Sequence, residues 1–498
     1  MSAPNISVVI EPTDGTSVAY ELCAAKDSNG KPNAVLCLQL LITNHESSVI
    51  HLNQVKLSFS SPPSVADAVI PVPTNWWPPS GSGVNISPGA TSEWNFLRGV
   101  LGENDSVVLP VPAPASVTIS LFFDGFSSPW TTTKTLAPHK NPVAGSAYLY
   151  PAQTDDLRPG EYWLTSSNTH GTGAAGSQLF AYDMAVFAFD AAATSGNGLN
   201  RILPGKDGSK NDHYRVWGKK LHAMADGVIL QVINDCPNND PPLATLFNGN
   251  QAHDDQLWTN QMNTYWGVYD NAHGGDAVAH AGAGNHFYIQ HGSEVALYAH
   301  MQKGSLNPQL LSAGAPVKAG DFLGLAGNSG NASEPHLHIH TIQGTVPESG
   351  PLRPLLFRGM DTIDPASLSA PNTGWASVNQ QGPPIVPSGA LIWPATTLPT
   401  KIPAYLWQEI DLSGTGKQEL PTLVIPSNNG VRAHVMLTRL HGKGAGSGAD
   451  CWISKYKQAG VWHDGPVRLI SGQSITDIVF GMQVWNSDAT GILLVELF

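Results

Sequence analysis

This sequence predicts an all-β protein of several domains, on three observations. Apolar residues gather in short strand-length runs rather than in long amphipathic stretches, and clusters of Gly, Pro, Asn and Ser separate them. The chain holds 50 glycines and 39 prolines while only 13% of its residues are charged, a turn-rich and helix-poor composition. Its 498 residues exceed what one ordinary core organises, so two to four domains are expected.

Several function classes drop out on the same grounds. A net charge of −13 argues against a nucleic-acid binder and offers no attraction to anionic membranes. No apolar run approaches the ~20 residues needed to span a bilayer. Met1-Ser2-Ala3-Pro4-Asn5 has neither a basic start nor an apolar core, so no signal peptide is expected in this chain and the export route is open. Cys23, Cys37, Cys236 and Cys451 show no CxxC spacing, which argues against a cysteine metal site. Cys23 and Cys37 either pair or stay as two buried thiols.

Taken in order, residues 1–135 read as a β-sandwich of immunoglobulin-like type, with strand-like runs at Ile6–Ile10, Ala34–Leu40, Val55–Phe59 and Val117–Phe123. Trp76-Trp77-Pro78-Pro79 is either an exposed binding tip or, as preferred here, a packing pair. Residues 138–151 carry turn formers and read as a linker. A unit at 148–371 comes next. In it, Tyr162–His170, a Gly/Ala/Ser stretch at 171–177 and Phe180-Ala181-Tyr182-Asp183-Met184 precede an Asp226-Gly227 turn. Residues 236–282 are an insertion rich in Asn, Asp, Gly and His, which forms a rim or lid or is inert. Residues 372–400 read as a Pro-rich connector. Residues 401–498 return to β character at Val431–Thr438, Cys451–Ser454, Asp477–Phe480 and Gly491–Leu497, an accessory module.

Chemistry concentrates in Glu334-Pro335-His336-Leu337-His338-Ile339-His340. Three histidines alternate with two aliphatic residues, the period of a strand whose successive side chains face opposite ways. His336, His338 and His340 are therefore expected in a row on one face, with Leu337 and Ile339 in the core. Neutral imidazole ligates zinc, and a histidine beside such a site can also move a proton. The alternative is a solvated polar face, but polar faces seldom spend three histidines.

Upstream, Gly284-Asn285 to Ile289-Gln290-His291-Gly292 and Tyr298-Ala299-His300 look like a hairpin. Val317-Lys318-Ala319-Gly320-Asp321 leads through a short apolar run to the Gly327–Asn331 loop and then to Pro335-His336-Leu337-His338. In these ordered motifs, residues 160–345 resemble the lysostaphin-type zinc metallopeptidases that cut peptidoglycan peptides. The resemblance implies a central antiparallel β-sheet peptidase domain flanked by the two β modules, and one Zn2+ ion. It implies His170, Asp183 and His338 as metal ligands and His300 and His336 as the non-ligand catalytic pair. The 12 residues between His170 and Asp183 exceed the family's usual short gap, and the glycines at 171–177 allow that stretch to loop out. Asp190 competes with Asp183, whose FAYDM context is favoured. His340 falls outside the motif and is expected to tune the site or orient a ligand. His291 is read as structural.

The resemblance also implies a zinc endopeptidase acting on peptidoglycan peptides at the cell wall, in the periplasm or outside the cell. Wall binding would fall to the flanking domains. The alternatives are a non-catalytic scaffold of the same fold, and a structural zinc protein in which His340 closes the fourth coordination position.

Overall fold

The computed structural model describes residues 3–26, 32–71, 76–77, 85–96, 107–158, 161–167, 179–189, 199–264, 282–363, 376–377, 391–394, 408–411, 431–442, 448–458, 461–465, 467–470, 474–487 and 489–497. The fold is all-β as expected, and the one α-helix among these residues is Gln251–Thr264.

The N-terminal module is two packed sheets. One contains Ile6–Glu11, Gln39–Asn44 and Thr91–Phe96, the other Ser17–Lys26, Ile50–Phe59, Ser116–Phe123 and Trp130–Pro138. Ser116–Phe123 alternates half-buried and buried positions along its length. Its inward Val117, Ile119 and Leu121 meet Leu40, Ile42, Leu57 and Trp94 between the sheets, as alternation in a sandwich requires. The apolar run at 34–40, expected as one strand, is two: Pro32–Leu36 pairs in one sheet and Gln39–Asn44 in the other. Both halves face the same core, so hydrophobicity carries no mark of the crossing. The side chains of Cys23, Trp76 and Trp77 lie outside the described residues, although the backbone of Trp76–Trp77 pairs with Phe96 and Asn95.

The central sheet positions the site. Its main strands are β1 (Glu161–Ser167), β2 (Tyr182–Phe189), β3 (Gly227–Ile233), β4 (Asn285–His291), β5 (Glu294–Met301), β6 (Leu337–Gln343), β7 (Met360–Ile363) and β8 (Leu391–Pro394). They run in the order β3-β4-β5-β6-β2-β1-β8-β7, antiparallel throughout. One face buries Tyr182, Met184, Phe287, Ile289, Tyr298, Leu337 and Ile339. The opposite face carries Tyr288, Leu297, Ala299 and Ile342, and Cys37 of the N-terminal module packs into that cluster.

Strands beyond residue 371 also join this sheet. Ala376–Ser377 and Leu391–Pro394, in the stretch expected to be a connector, pair with β7, and Leu391–Ile392 also with β1. The linker contributes too. Buried Asn141 donates to the Pro354 carbonyl at 2.7 Å and to Glu294 at 3.2 Å, and Tyr148 donates its hydroxyl to the same Glu294 oxygen at 2.7 Å. A fragment cut at 148 and 371 would lose β8 and expose the Glu294 pocket.

That pocket makes stability pH-dependent. Burial outweighs the two donated hydrogen bonds and raises the Glu294 carboxyl to about 7. The folded chain then holds a proton that the unfolded chain releases near the ordinary carboxylate value. The contribution is fully present below about pH 4.5 and is lost as pH rises through 7, about 3 kcal/mol in all. Glu294→Gln should flatten that part of a urea-midpoint profile between pH 5 and 8, and an unchanged slope would contradict the assignment.

At the C-terminal end, residues 408–497 form a seven-stranded antiparallel sheet that includes Val431–Gly442, Gly448–Gln458, Ser474–Ser487 and Ala489–Leu497. The sequence-predicted runs all lie within these longer strands. No helix among the described residues is long and apolar enough to cross a membrane.

Candidate metal and catalytic centre

Register brings the site together. On one side of β6, Asp183 of β2 pairs directly with His338. On the other side, Ala299 of β5 pairs with His338 and Leu297 with His340. Directly paired residues share a sheet face, so Asp183 and His338 meet, and His338 Nδ1 lies 3.0 Å from Asp183 Oδ1. Donors at zinc bond lengths in a tetrahedron sit about 3.3 Å apart. A carboxylate oxygen and an imidazole nitrogen at this separation are a donor pair of the types zinc accepts.

His336 enters from the loop before β6, its amide bonded to the Gly327 carbonyl at 3.1 Å. Its Nδ1 donates to the Glu334 carbonyl at 2.8 Å, which turns Nε2 to within 3.5 Å of Asp183 Oδ1. Burial works against protonation of this ring, but the Asp183 carboxylate outweighs it and the pKa is raised.

His300 reaches the same place by an irregularity. Simple alternation from Tyr298 would send it into the core. The β4–β5 register instead shifts between Asn285 and Phe287, and His300 takes φ 66°, the left-handed region that side chains avoid. Its amide bonds the Ala283 carbonyl and its Nδ1 donates to the Ser329 carbonyl, both at 2.8 Å. Nε2 is left as the bare nitrogen. The ring centroid stands 4.8 Å from that of His336 and 5.8 Å from that of His338. Burial first, then the neighbouring His336 and His338 rings, hold the His300 pKa well below its ordinary value. The two histidines are thus pushed apart, one toward the neutral form and one toward the cation.

Close backbone approach fixes this arrangement. A Cβ on Gly284 (φ +65°) would lie 2.4 Å from the Ser329 carbonyl, and one on Gly330 (φ +74°) would lie 2.4 Å from the Gly282 carbonyl. The insertion braces the same loop, because Asn239 and Gln261 both donate to the Gly330 and Ala332 carbonyls at 2.9–3.0 Å.

Of the other candidates, His340 turns away from Asp183. One of its nitrogens meets His338 Nε2 and the other Glu348, each at 3.0 Å. His291 bridges the Asp226 carbonyl and the Tyr298 hydroxyl at 3.0 Å each, and Asp226 closes a turn onto Ala319 and Lys318. His213 pairs with Asp207 and His222 with the Gly320 carbonyl. His170 and Asp190 lie outside the described residues. Among the described residues, no group of three or more His, Cys, Asp or Glu side chains is arranged to hold a metal ion. Of the three ligands that the resemblance implies, Asp183 and His338 are the two within the described residues.

Residues 272–349 match peptidase family M23. The chain carries a peptidase family M23 domain. The matched stretch contains His300, His336 and His338, while Asp183 joins the M23 domain through sheet register alone. No curated relative matches the chain by sequence. Among solved structures, a zinc-containing peptidase from Vibrio cholerae is 13% identical over 69% of this chain and 88% of its own, with a TM-score of 0.20. Helicobacter pylori Csd3 is 10% identical over 67% and 75%, with a TM-score of 0.19. Lysostaphin from Staphylococcus simulans is 14% identical over 60% and 84%, with a TM-score of 0.16. Scores this low carry no argument about the activity of the M23 domain.

Sequence reading missed three partners within the M23 domain: the Ser329 carbonyl, Tyr288 and Glu348. The first is backbone and leaves no side-chain signal. The other two act only because β4 and the turn after β6 lie beside the histidine row.

Proposed function

We propose that the chain is a zinc-dependent endopeptidase that hydrolyses peptide bonds in peptidoglycan stems or cross-bridges. The observation that carries this reading is the zinc-type donor pair Asp183–His338 set beside two non-ligand histidines of opposite protonation tendency. His170 is assigned as the third ligand. Ser166 of β1 pairs with Asp183, and the four residues from there to His170 reach at most about 14 Å. Zinc, when bound, supplies a Lewis acid that polarises the scissile carbonyl and acidifies a water. His300, neutral with a bare Nε2, takes the proton from the attacking water. His336, inclined to the cation, donates from Nε2 to the developing oxyanion or to the leaving amine. Asp183 Oδ1 keeps His336 charged and oriented for that step.

The site of action under this reading is the cell wall, in the periplasm or outside the cell. The flanking domains would hold the peptidase unit to wall polymer, which multivalent attachment favours without new contacts at the active site. Exposed Trp462, 45% accessible, with Lys455 and Lys457 over its ring, is the described surface aromatic suited to that role in the C-terminal module.

The test is incubation of the zinc-loaded protein with purified muropeptides, followed by mass analysis. Fragments whose masses sum to substrate plus one water, and which disappear on chelation, are expected. Intact muropeptides that co-purify with the zinc-loaded protein would instead identify a scaffold.

A further inference from the structure

The polar insertion between β3 and β4 has no part in the chemistry above, yet it meets the loop that leads into β6 carbonyl by carbonyl. That loop runs from Asn328 to Glu334. Its Ser329 carbonyl accepts from His300 Nδ1 and its Glu334 carbonyl from His336 Nδ1, each at 2.8 Å. A carbonyl oxygen only accepts, so both rings donate from Nδ1 whatever their charge. One loop therefore aims both non-ligand histidines.

The carbonyls between and beside those two go to the insertion. The Asn328 carbonyl accepts the Asn239 amide at 2.6 Å, and the Ser333 carbonyl accepts the Ala244 amide at 2.9 Å. The Gly330 and Ala332 carbonyls each accept twice, from Asn239 Nδ2 at 2.9 and 3.0 Å and from Gln261 Nε2 at 3.0 Å. Asn239 is itself held, because its backbone carbonyl takes Asn211 Nδ2 at 2.7 Å and Asn328 Nδ2 at 3.2 Å. Gln261 projects from the helix Gln251–Thr264, whose described positions are exposed or half-buried, so this polar helix meets the loop through an amide. We propose that Asn239 and Gln261 are positioning residues. Through the Gly330 and Ala332 carbonyls they fix the loop that aims His300 and His336 toward the Asp183–His338 pair. A loop of short side chains has little stiffness of its own, and a ring held by a backbone carbonyl is only as well placed as that carbonyl.

The inference rests on the proposed catalytic roles of His300 and His336, and the experiment reads geometry apart from activity. In full-length zinc-loaded protein, kcat and KM on a soluble peptide are compared for wild type, Gln261→Ala, Asn239→Ala and the double variant. Gln256→Ala, at an exposed position of the same helix, serves as the control with unchanged kcat. Asn239→Ala keeps its backbone bonds, and a urea midpoint near wild type checks the fold of each variant. Each single change should lower kcat roughly 3- to 5-fold and the double change about 100-fold, with KM and zinc content near wild type. The double loss exceeds the product of the single losses because the two amides share the same acceptors. Gln261→Lys, which keeps a donor, should retain more activity than Gln261→Glu, which offers the carbonyls only an acceptor. In protein labelled with 15N-histidine, the Nδ1 protons of His300 and His336 are assigned by their loss in His300→Ala and His336→Ala. They should exchange slowly in the wild type and broaden into solvent exchange in the double variant. Ring protons that stay slow in the double variant, or a kcat equal to wild type, would overturn the positioning role. Ring protons released in the double variant of a protein that hydrolyses no peptide would keep that placement of the rings and remove the peptidase reading.

Discussion

Replacing His338 with alanine is expected to reduce zinc content to near zero, whereas His300→Ala and His336→Ala keep the metal and lose turnover. The division comes from the atoms. His338 Nδ1 and Asp183 Oδ1 are the facing donor pair. A site with three protein ligands seldom survives loss of one, because binding energy is shared among deprotonated donors held in place. His300 and His336 touch that pair from outside it, each with Nδ1 already spent on a backbone carbonyl. Removing either takes away one proton-transfer or charge-stabilising group, typically worth about 10²- to 10⁴-fold in rate. Metal analysis of the three variants beside single-turnover rates on a soluble peptide decides the matter. Equal zinc loss in all three would collapse the distinction between ligands and catalysts.

The second large effect concerns stability. Glu161 opens β1 with no exposed surface, its carboxylate 2.7 Å from Lys219 Nζ and 3.4 Å from Arg215 Nη1. The same side chain accepts the Arg158 amide at 2.9 Å. Both cations are themselves buried, so Glu161→Gln removes the carboxylate that they share in the interior of the central sheet unit. Breaking a buried ion pair from one side costs about 3–5 kcal/mol, a large share of the roughly 5–15 kcal/mol typical of a folded domain. A drop of that size in unfolding free energy, measured by urea with zinc present, is expected. A midpoint within error of wild type would mean that Lys219 and Arg215 find other partners.

Composition and pattern made much of this architecture legible. Short runs between turn formers specify strands, and the accessory modules emerge from those runs without any site chemistry. The row His336, His338, His340 could be read because a strand's period of two leaves no freedom about which side chains share a face. The outward turn of His300 could not be read, since it depends on a register shift in the β4–β5 hairpin that reverses simple alternation. The strands at 376–377 and 391–394 were hidden in a Pro-rich stretch, where composition describes the turns and says nothing of short pairings with distant strands.

By itself the sequence determined that this is a β-rich, acidic, multidomain chain with a histidine strand of metal-site character, because those properties reside in residue type and local period. Only the tertiary structure decided that Asp183 lies opposite His338, that Glu348 closes the line from His340, and that Glu161 neutralises Lys219 and Arg215. Each of these depends on residues 8 to 155 positions apart. Sheet register and burial bring them together, and local sequence periodicity does not encode either.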